Sequence, residues 1–186
     1  PILQSMLKYS TNLTAEITGA AAANIVGAKV STLLDSTAVM GRWASELAGF
    51  PREDPGFRFV NHSGLTLESR VSPERMVDLL AALARADGGA ATGLPHGIAR
   101  YLDRRVVENA PPGLEVAAKS GTMSFVRGLA GYALTPGGRR LAFAIFSNDL
   151  AQRGDGPEKV NRPWLNRARS FEQALLRRWA MQMDAS

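Results

Sequence analysis

The sequence predicts an α+β domain, and three observations carry that expectation. Apolar residues recur at helical spacing over roughly the first hundred positions. Three strand-like runs follow in succession between Leu114 and Asn148, and an amphipathic helix closes the chain.

Each element has a local reason. Pro1 to Tyr9 places Ile2, Leu3, Met6 and Leu7 at helical spacing, with Pro1 suited to a first turn. Asn12 to Val26 is rich in alanine and reads as a buried helix. Ser36 to Leu47 reads as another, with Val39, Met40, Trp43 and Leu47 on its apolar stripe and Gly49 as its stop. Phe57 to Val60 has strand composition and leads into Asn61-His62-Ser63-Gly64, a turn. Ser72-Pro73-Glu74 starts a helix: a cap, a proline at the first position, then a carboxylate toward the positive end of the dipole. That helix runs through Met76, Leu79, Leu80 and Leu83 to about Ala86, where Asp87-Gly88-Gly89 breaks it. A short helix is expected over Ile98 to Val107. The period then changes to two over Leu114 to Lys119, Val126 to Leu134 and Arg140 to Asn148, the last two joined by the turn Thr135-Pro136-Gly137-Gly138. Pro163 opens the final helix, whose stripe is Trp164, Ala168, Phe171, Leu175 and Trp179.

Composition bounds the chemistry. A length of 186 residues makes one domain or a large piece of one, which needs no metal or disulfide staples. Hydrophobic residues at 45% and charged residues at 21% fit a globular chain, and no apolar run approaches the roughly 20 residues of a membrane span. There is no cysteine, so disulfides, thiolate nucleophiles and Cys-ligated metals are excluded. With only His62 and His96, far apart in sequence, no metal site is expected. The net charge of +5 raises the question of nucleic acid. The arginine pairs at Arg104-Arg105, Arg139-Arg140 and Arg177-Arg178 fall in separate segments, however, so solvated faces account for them and no nucleic-acid partner is expected.

Two short segments carry chemistry. Lys119-Ser120-Gly121-Thr122, at the end of an expected strand, combines a cation, a hydroxyl and a glycine that lets backbone approach a ligand. Such a set could hold a carboxylate and offer an N–H to an oxyanion. Ser10-Thr11-Asn12 lies between two helices, where these residue types ordinarily serve as caps. Together they spell Ser-x-Asn in a helix–helix loop, followed about a hundred residues later by Lys-[Ser/Thr]-Gly on a strand. These are two of the signatures shared by active-site-serine β-lactamases and penicillin-binding proteins.

Flanking residues narrow the resemblance. Ser10-Thr11-Asn12-Leu13-Thr14-Ala15-Glu16 resembles the Ser-x-Asn-Leu-x-Ala-Glu stretch of the S13 D-alanyl-D-alanine carboxypeptidase/endopeptidase family. Asn61-His62-Ser63-Gly64-Leu65-Thr66 and Arg70-Val71-Ser72-Pro73 resemble that family's Asp-Gly-Ser-Gly-Leu-Ser and Arg-Val-Ser-Pro segments. Lys119-Ser120-Gly121-Thr122-Met123 and Leu129-Ala130-Gly131-Tyr132 are similar to its Lys-Thr-Gly-Thr-Leu and Ala-Gly-Tyr strands. Asn61-His62 departs from Asp-Gly, and Ser120 replaces threonine with the hydroxyl kept.

The resemblance implies the C-terminal part of the serine β-lactamase/penicillin-binding transpeptidase-like fold, an antiparallel sheet with helices on both faces. Residues 1–186 then read as a C-terminal segment of the catalytic domain, with the Ser-x-x-Lys nucleophile in a missing N-terminal part of the same protein. It implies a periplasmic enzyme acting through an acyl-enzyme on peptidoglycan peptides ending in D-Ala-D-Ala, inhibited covalently by β-lactams and needing no cofactor. Ser10 would relay a proton, Asn12 would hold the substrate amide, and Lys119 would supply positive potential. Ser120 would bind the terminal carboxylate, Gly121 would keep the strand edge open, and the Thr122 N–H would form half of an oxyanion hole. A β-lactamase-like hydrolase and a non-catalytic cell-wall-peptide-binding fragment are the alternatives.

Ser5-Met6-Leu7-Lys8 also spells Ser-x-x-Lys, but in mid-helix and close to Ser10, so Ser5 and Lys8 read as plain helix residues. His62 reads as a solvated turn histidine, Ser63 and Gly64 as structural, and Arg127 as either meeting a carboxylate or pairing at the surface. Because such a segment would leave a sheet edge and an apolar face uncovered, the isolated 186 residues are expected to aggregate or depend on a partner. A sharp, cooperative melt of the monomeric chain would contradict this.

Overall fold

A computed structural model of the chain describes residues 2–26, 29–51, 53–87, 97–153 and 159–184. Pro1, Gly88-Gly89 and His96 lie outside the described residues. The chain divides into two units, Pro1–Arg85 and Ala86–Ser186.

The first unit carries helices α1 (Ile2–Tyr9), α2 (Asn12–Ile25) and α3 (Leu33–Ala48), two-residue strands β1 (Phe57–Arg58) and β2 (Arg70–Val71), and helix α4 (Pro73–Ala86). α3 begins three residues before the expected Ser36 because Thr32 and Asp35 form a capping box. The Thr32 hydroxyl accepts from the Asp35 N–H at 3.1 Å, and the Asp35 carboxylate accepts from the Thr32 N–H at 2.9 Å. It ends at Gly49, whose φ of 73° is the left-handed conformation glycine adopts without a Cβ penalty. α4 starts as expected, with Ser72 Oγ accepting from the Arg75 N–H at 3.1 Å. Ala44, Phe57 and Leu79 form the buried centre of this unit, and the rings of Phe50, Phe57 and Phe59 meet edge to face.

Two sequence expectations for this unit are corrected. α2 is not a buried helix: only Ala23 is buried, and Leu13, Ile17 and Ile25 are exposed. α3 turns Ser36, Thr37 and Ala44 inward and leaves Trp43 exposed, because the two hydroxyls are satisfied by the Leu33 and Leu34 carbonyls and so bury without cost.

The second unit holds strands β3 (Glu115–Met123), β4 (Val126–Leu134) and β5 (Arg140–Asn148), the short helix α5 (Leu150–Arg153), and α6 (Arg162–Asp184). The sheet is an antiparallel meander in the order β3-β4-β5. Instead of the helix expected over Ile98 to Val107, a 3-10 turn covers Ile98–Tyr101 and the chain then bridges to β3, Asp103 pairing with Ala118. β3 also runs past Lys119, so that Lys119-Ser120-Gly121-Thr122 lies inside a strand and not at its end. The glycine that weakens the strand signal pairs with Gly128, and the strand continues to the two-residue turn Ser124-Phe125.

Alternation puts Leu114, Val116 and Ala118 on one face with Leu129, Ala133, Phe143 and Ile145, and α6 covers that face with Leu176 and Ala180. The α6 stripe differs from expectation. The buried positions are Leu165, Ala168, Glu172, Leu176 and Ala180, while Phe171 is exposed. A glutamate enters the stripe because an arginine of the sheet waits beneath it. The β3–β4 turn is fixed to the start of α6 by the Phe125–Trp164 ring contact and by the Ser124 hydroxyl, which donates to the Lys159 carbonyl at 2.9 Å.

Candidate active site

The geometry of β3 follows from one bridge. Ala118 directs its N–H and C=O away from β4, bonding Asp103 at 3.0 and 3.1 Å. In an antiparallel ladder this direction alternates residue by residue, so the backbone groups of Ser120 and Thr122 also face the outer edge, while those of Lys119 and Gly121 bond β4. Among the described residues no strand pairs with that outer edge beyond the Asp103 bridge. It therefore offers the Ser120 carbonyl and the Thr122 N–H in the manner of a sheet that accepts an added strand.

The side chains divide between the two faces. Lys119 and Gly121 lie on the face opposite α6, and Ser120 and Thr122 on the α6 side. Lys119 is half-buried, and its Nζ donates to the Ser120 carbonyl at 2.6 Å. Burial first, and the Arg127 guanidinium second, hold its ammonium below the ordinary lysine value, with Asp103 opposing. A Cβ built on Gly121 meets nothing within 4 Å, so packing does not demand glycine there. Thr122 Oγ1 accepts from Arg127 Nη1 at 3.0 Å, and Arg127 is clamped by Glu172 of α6, with Nε at 2.9 Å from Oε1. The sequence left Arg127 open between meeting a carboxylate and pairing at the surface. The pair is buried, with side chains 9% and 3% exposed.

In the first unit, Ser10 joins α1 to α2 in a left-handed conformation, φ 53°, uncommon for a residue with a Cβ and a form of local strain that clusters at functional sites. Thr11 occupies the cap position but makes no side-chain cap bond to α2. Asn12 is the first residue of α2, and both Ser10 and Asn12 are exposed. Ser5 and Lys8 lie within α1, exposed, with Lys8 Nζ 5.2 Å from the Tyr9 ring centroid.

One turn of α2 further on, Glu16 reaches the Asn61 to Gly64 loop. Its carboxylate accepts from the His62 N–H at 3.0 Å and the Ser63 N–H at 3.1 Å. Burial works to raise its pKa, but the Ser63 hydroxyl, the two N–H donors and the nearby imidazole together hold it below the ordinary carboxylate value. Glu16 thus ties two of the sequence landmarks together. The reading of His62 as a solvated turn histidine is corrected. Its ring lies against Gly19 of α2, with Nε2 2.7 Å from Ser36 Oγ and Nδ1 3.4 Å from Met40 Sδ. Since the Ser36 hydroxyl donates to the Leu33 carbonyl, imidazole Nε2–H is the donor to Ser36. The ring is held there because α2 has no Cβ at position 19.

Burial lowers the His62 pKa, with Glu16 opposing. The unfolded chain therefore takes up a proton at this site more readily than the folded one. Its contribution to stability is complete above the unfolded value of 6.5 and is lost as pH falls through the lower folded value. Urea midpoints measured from pH 8 to pH 5 should fall below about 6.5, and His62→Gln should remove the part of that slope nearest neutrality. An unchanged slope in the variant would contradict the assignment.

The expected site residues thus fall into two groups. Lys119, Ser120, Gly121 and Thr122 share one strand with Arg127 and Glu172 behind them; Ser10 and Asn12 share the start of α2 with Glu16. Sequence reasoning missed Glu172 as a partner. The signal available was Arg127 beside the motif strand together with a carboxylate at the spacing of Ala168, Leu176 and Ala180.

The fold comparison defines the class. Penicillin-binding protein 4 from Haemophilus influenzae matches with a TM-score of 0.72 at 22% identity, over 95% of this chain and 39% of that one. A predatory endopeptidase from Bdellovibrio bacteriovorus matches with a TM-score of 0.65 at 19% identity, over 97% and 43%. A β-lactamase from Burkholderia vietnamiensis matches with a TM-score of 0.55 at 17% identity, over 94% and 63%. The architecture is that of the serine β-lactamase/penicillin-binding transpeptidase-like fold, α+β with antiparallel sheet and flanking helices. The chain spans less than half the length of the first two structures. No curated protein matches it. The D-Ala-D-Ala carboxypeptidase 3 (S13) family matches residues 1–164, and the chain belongs to that family.

Proposed function

We propose that this chain, residues 1–186, is the C-terminal segment of the catalytic domain of a periplasmic serine-type D-Ala-D-Ala carboxypeptidase/endopeptidase and forms one wall of its acyl-transfer site. The observation that carries the reading is the outer edge of β3, which no strand among the described residues pairs beyond the Asp103 bridge and where the Ser120 carbonyl and Thr122 N–H face outward beside the half-buried Lys119. A peptide ending in D-Ala-D-Ala lies along that edge as an added strand, its carboxylate toward Ser120 and the attacked carbonyl toward the Thr122 N–H. Losing such an oxyanion donor costs on the order of 10²- to 10³-fold.

A serine from a Ser-x-x-Lys segment outside this chain attacks the penultimate D-Ala carbonyl. Its proton passes by way of Ser10 to the departing D-alanine amine, and water resolves the acyl-enzyme. Asn12 holds the substrate amide, and Lys119 supplies positive potential. Gly121 leaves the strand clear for the substrate backbone. A β-lactam enters as a cyclic analogue of the same peptide and is retained as the acyl group.

Intact-mass spectrometry of the full-length protein with and without penicillin tests this reading. The expected result is a stable adduct of one penicillin per protein. Rapid penicillin hydrolysis with no lasting adduct would point to a β-lactamase, and no reaction at all to a module that binds cell-wall peptide without cleaving it.

A further inference from the structure

The β3 edge carries an additional side-chain tie at the rung that matters. Thr122 stands opposite Arg127 in β4 with both of its backbone groups facing outward, so it is tied to β4 only through the ladder bonds of Gly121 and Met123, whose C=O and N–H share its two peptide planes. The residue adds a tie of its own through its side chain, Arg127 Nη1 to Thr122 Oγ1 at 3.0 Å.

The guanidinium is itself immobilised. Its Nε lies 2.9 and 3.2 Å from the two Glu172 oxygens and its Nη2 lies 3.0 Å from Oε2. A buried pair of this kind contributes little net stability compared with apolar residues of the same volume. Here one donor of the arginine fork is withheld from the carboxylate and aimed at the strand. Resting on the function proposed above, we propose that Arg127 and Glu172 are positioning residues for the β3 edge: the guanidinium, clamped from α6, grips the Thr122 hydroxyl and so keeps the rung that carries the Thr122 N–H from shifting away from the reacting carbonyl.

The same cation stands near Lys119. The charged groups bearing on that ammonium are Arg127 from β4 and Asp103 from the segment bridged to the outer edge. Removing Arg127 lifts a repulsion, so Lys119 should titrate at higher pH.

The test uses the full-length protein and a fluorescent penicillin. Thr122→Val removes the hydroxyl and keeps the backbone N–H. The double variant Arg127→Met/Glu172→Met replaces the pair with apolar side chains of similar volume, which avoids leaving one charge buried alone. Each should slow acylation about 10- to 10²-fold, mainly in the rate at saturation and not in KM, because a small misplacement of a reacting group has effects of that size. Combined, they should be no slower than the slower of the two, since both act through one contact. Thr122→Ser should restore the wild-type rate.

Two spectroscopic readouts accompany the kinetics. Three-bond couplings should place Thr122 in a single rotamer in the wild type and in several in the double variant, and the Lys119 Nζ titration should move upward in the double variant. Wild-type acylation in Thr122→Val and in the double variant, or fully additive losses, would overturn the proposal, as would identical Thr122 couplings. If the wild-type protein takes up no penicillin, the proposed function fails, and the rotamer and Lys119 measurements alone decide the positioning role.

Discussion

Replacing Lys119 with alanine in the full-length protein should slow acylation by penicillin about 10²- to 10³-fold, the usual range for losing one group that stabilises charge in the transition state. The fold should survive, because Lys119 is half-buried on an edge strand and the Ser120 carbonyl that it bonds is a group water can reach once the side chain is gone. The pH profile sharpens the expectation. Burial, then Arg127, lower the Lys119 pKa from the ordinary 10.5, so the ammonium loses its proton at a lower pH than a solvated lysine would. The alkaline limb of the acylation rate should therefore lie below 10.5 in the wild type and vanish in Lys119→Arg, whose cation does not titrate in that range. A Lys119→Ala protein that acylates at the wild-type rate would remove this lysine from the chemistry.

Glu172→Ala should be the most destabilising single substitution among those considered, costing about 3–5 kcal/mol. It leaves the Arg127 guanidinium in the sheet–α6 interface without its anion, and with both side chains less than 10% exposed, water offers little compensation. Denaturant midpoints of the full-length protein measure the loss. Arg127→Met/Glu172→Met should recover most of it, because the penalty comes from an unpaired buried charge and not from the absence of an attraction. A Glu172→Ala midpoint within 0.5 kcal/mol of wild type, the usual range for surface changes, would show the pair to be solvated after all.

How much of this was legible beforehand depended on whether a signal was local. β4 and β5 were readable to the residue, since long alternating runs with a Pro-Gly turn between them leave little choice. The start of α4 was equally plain from Ser72-Pro73-Glu74. The misreadings came where a polar group had a distant partner. Glu172 lies on the buried side of α6, and a carboxylate beside Ala168 and Leu176 reads as solvent-facing until Arg127 is placed beneath it. Ser36 and Thr37 turn inward for a related reason, their hydroxyl protons being taken by helix carbonyls. β3 was cut short at Lys119 since Ser-Gly-Thr lacks strand character, yet β4 pairs with it through Met123.

The candidate site was legible as residue types and not as a mechanism of support. Lys119, Ser120, Gly121 and Thr122 could be picked out because they form one motif. That the outer edge carries the odd N–H of Thr122 follows from the Asp103 bridge, which joins segments too irregular to foresee. Glu16 stood inside a quoted motif, but its hold on the Asn61 to Gly64 loop spans 46 and 47 positions and required coordinates.

The ring of His62 and the bare backbone of Gly19 occupy one volume between them: a methyl group at position 19 would stand 2.1 Å from the imidazole Nδ1. The conformation of the ring therefore depends on the residue at 19. Alanine at 19 would displace the ring from the place where it meets Ser36 and Met40, so the ring keeps those contacts only against a residue without a Cβ.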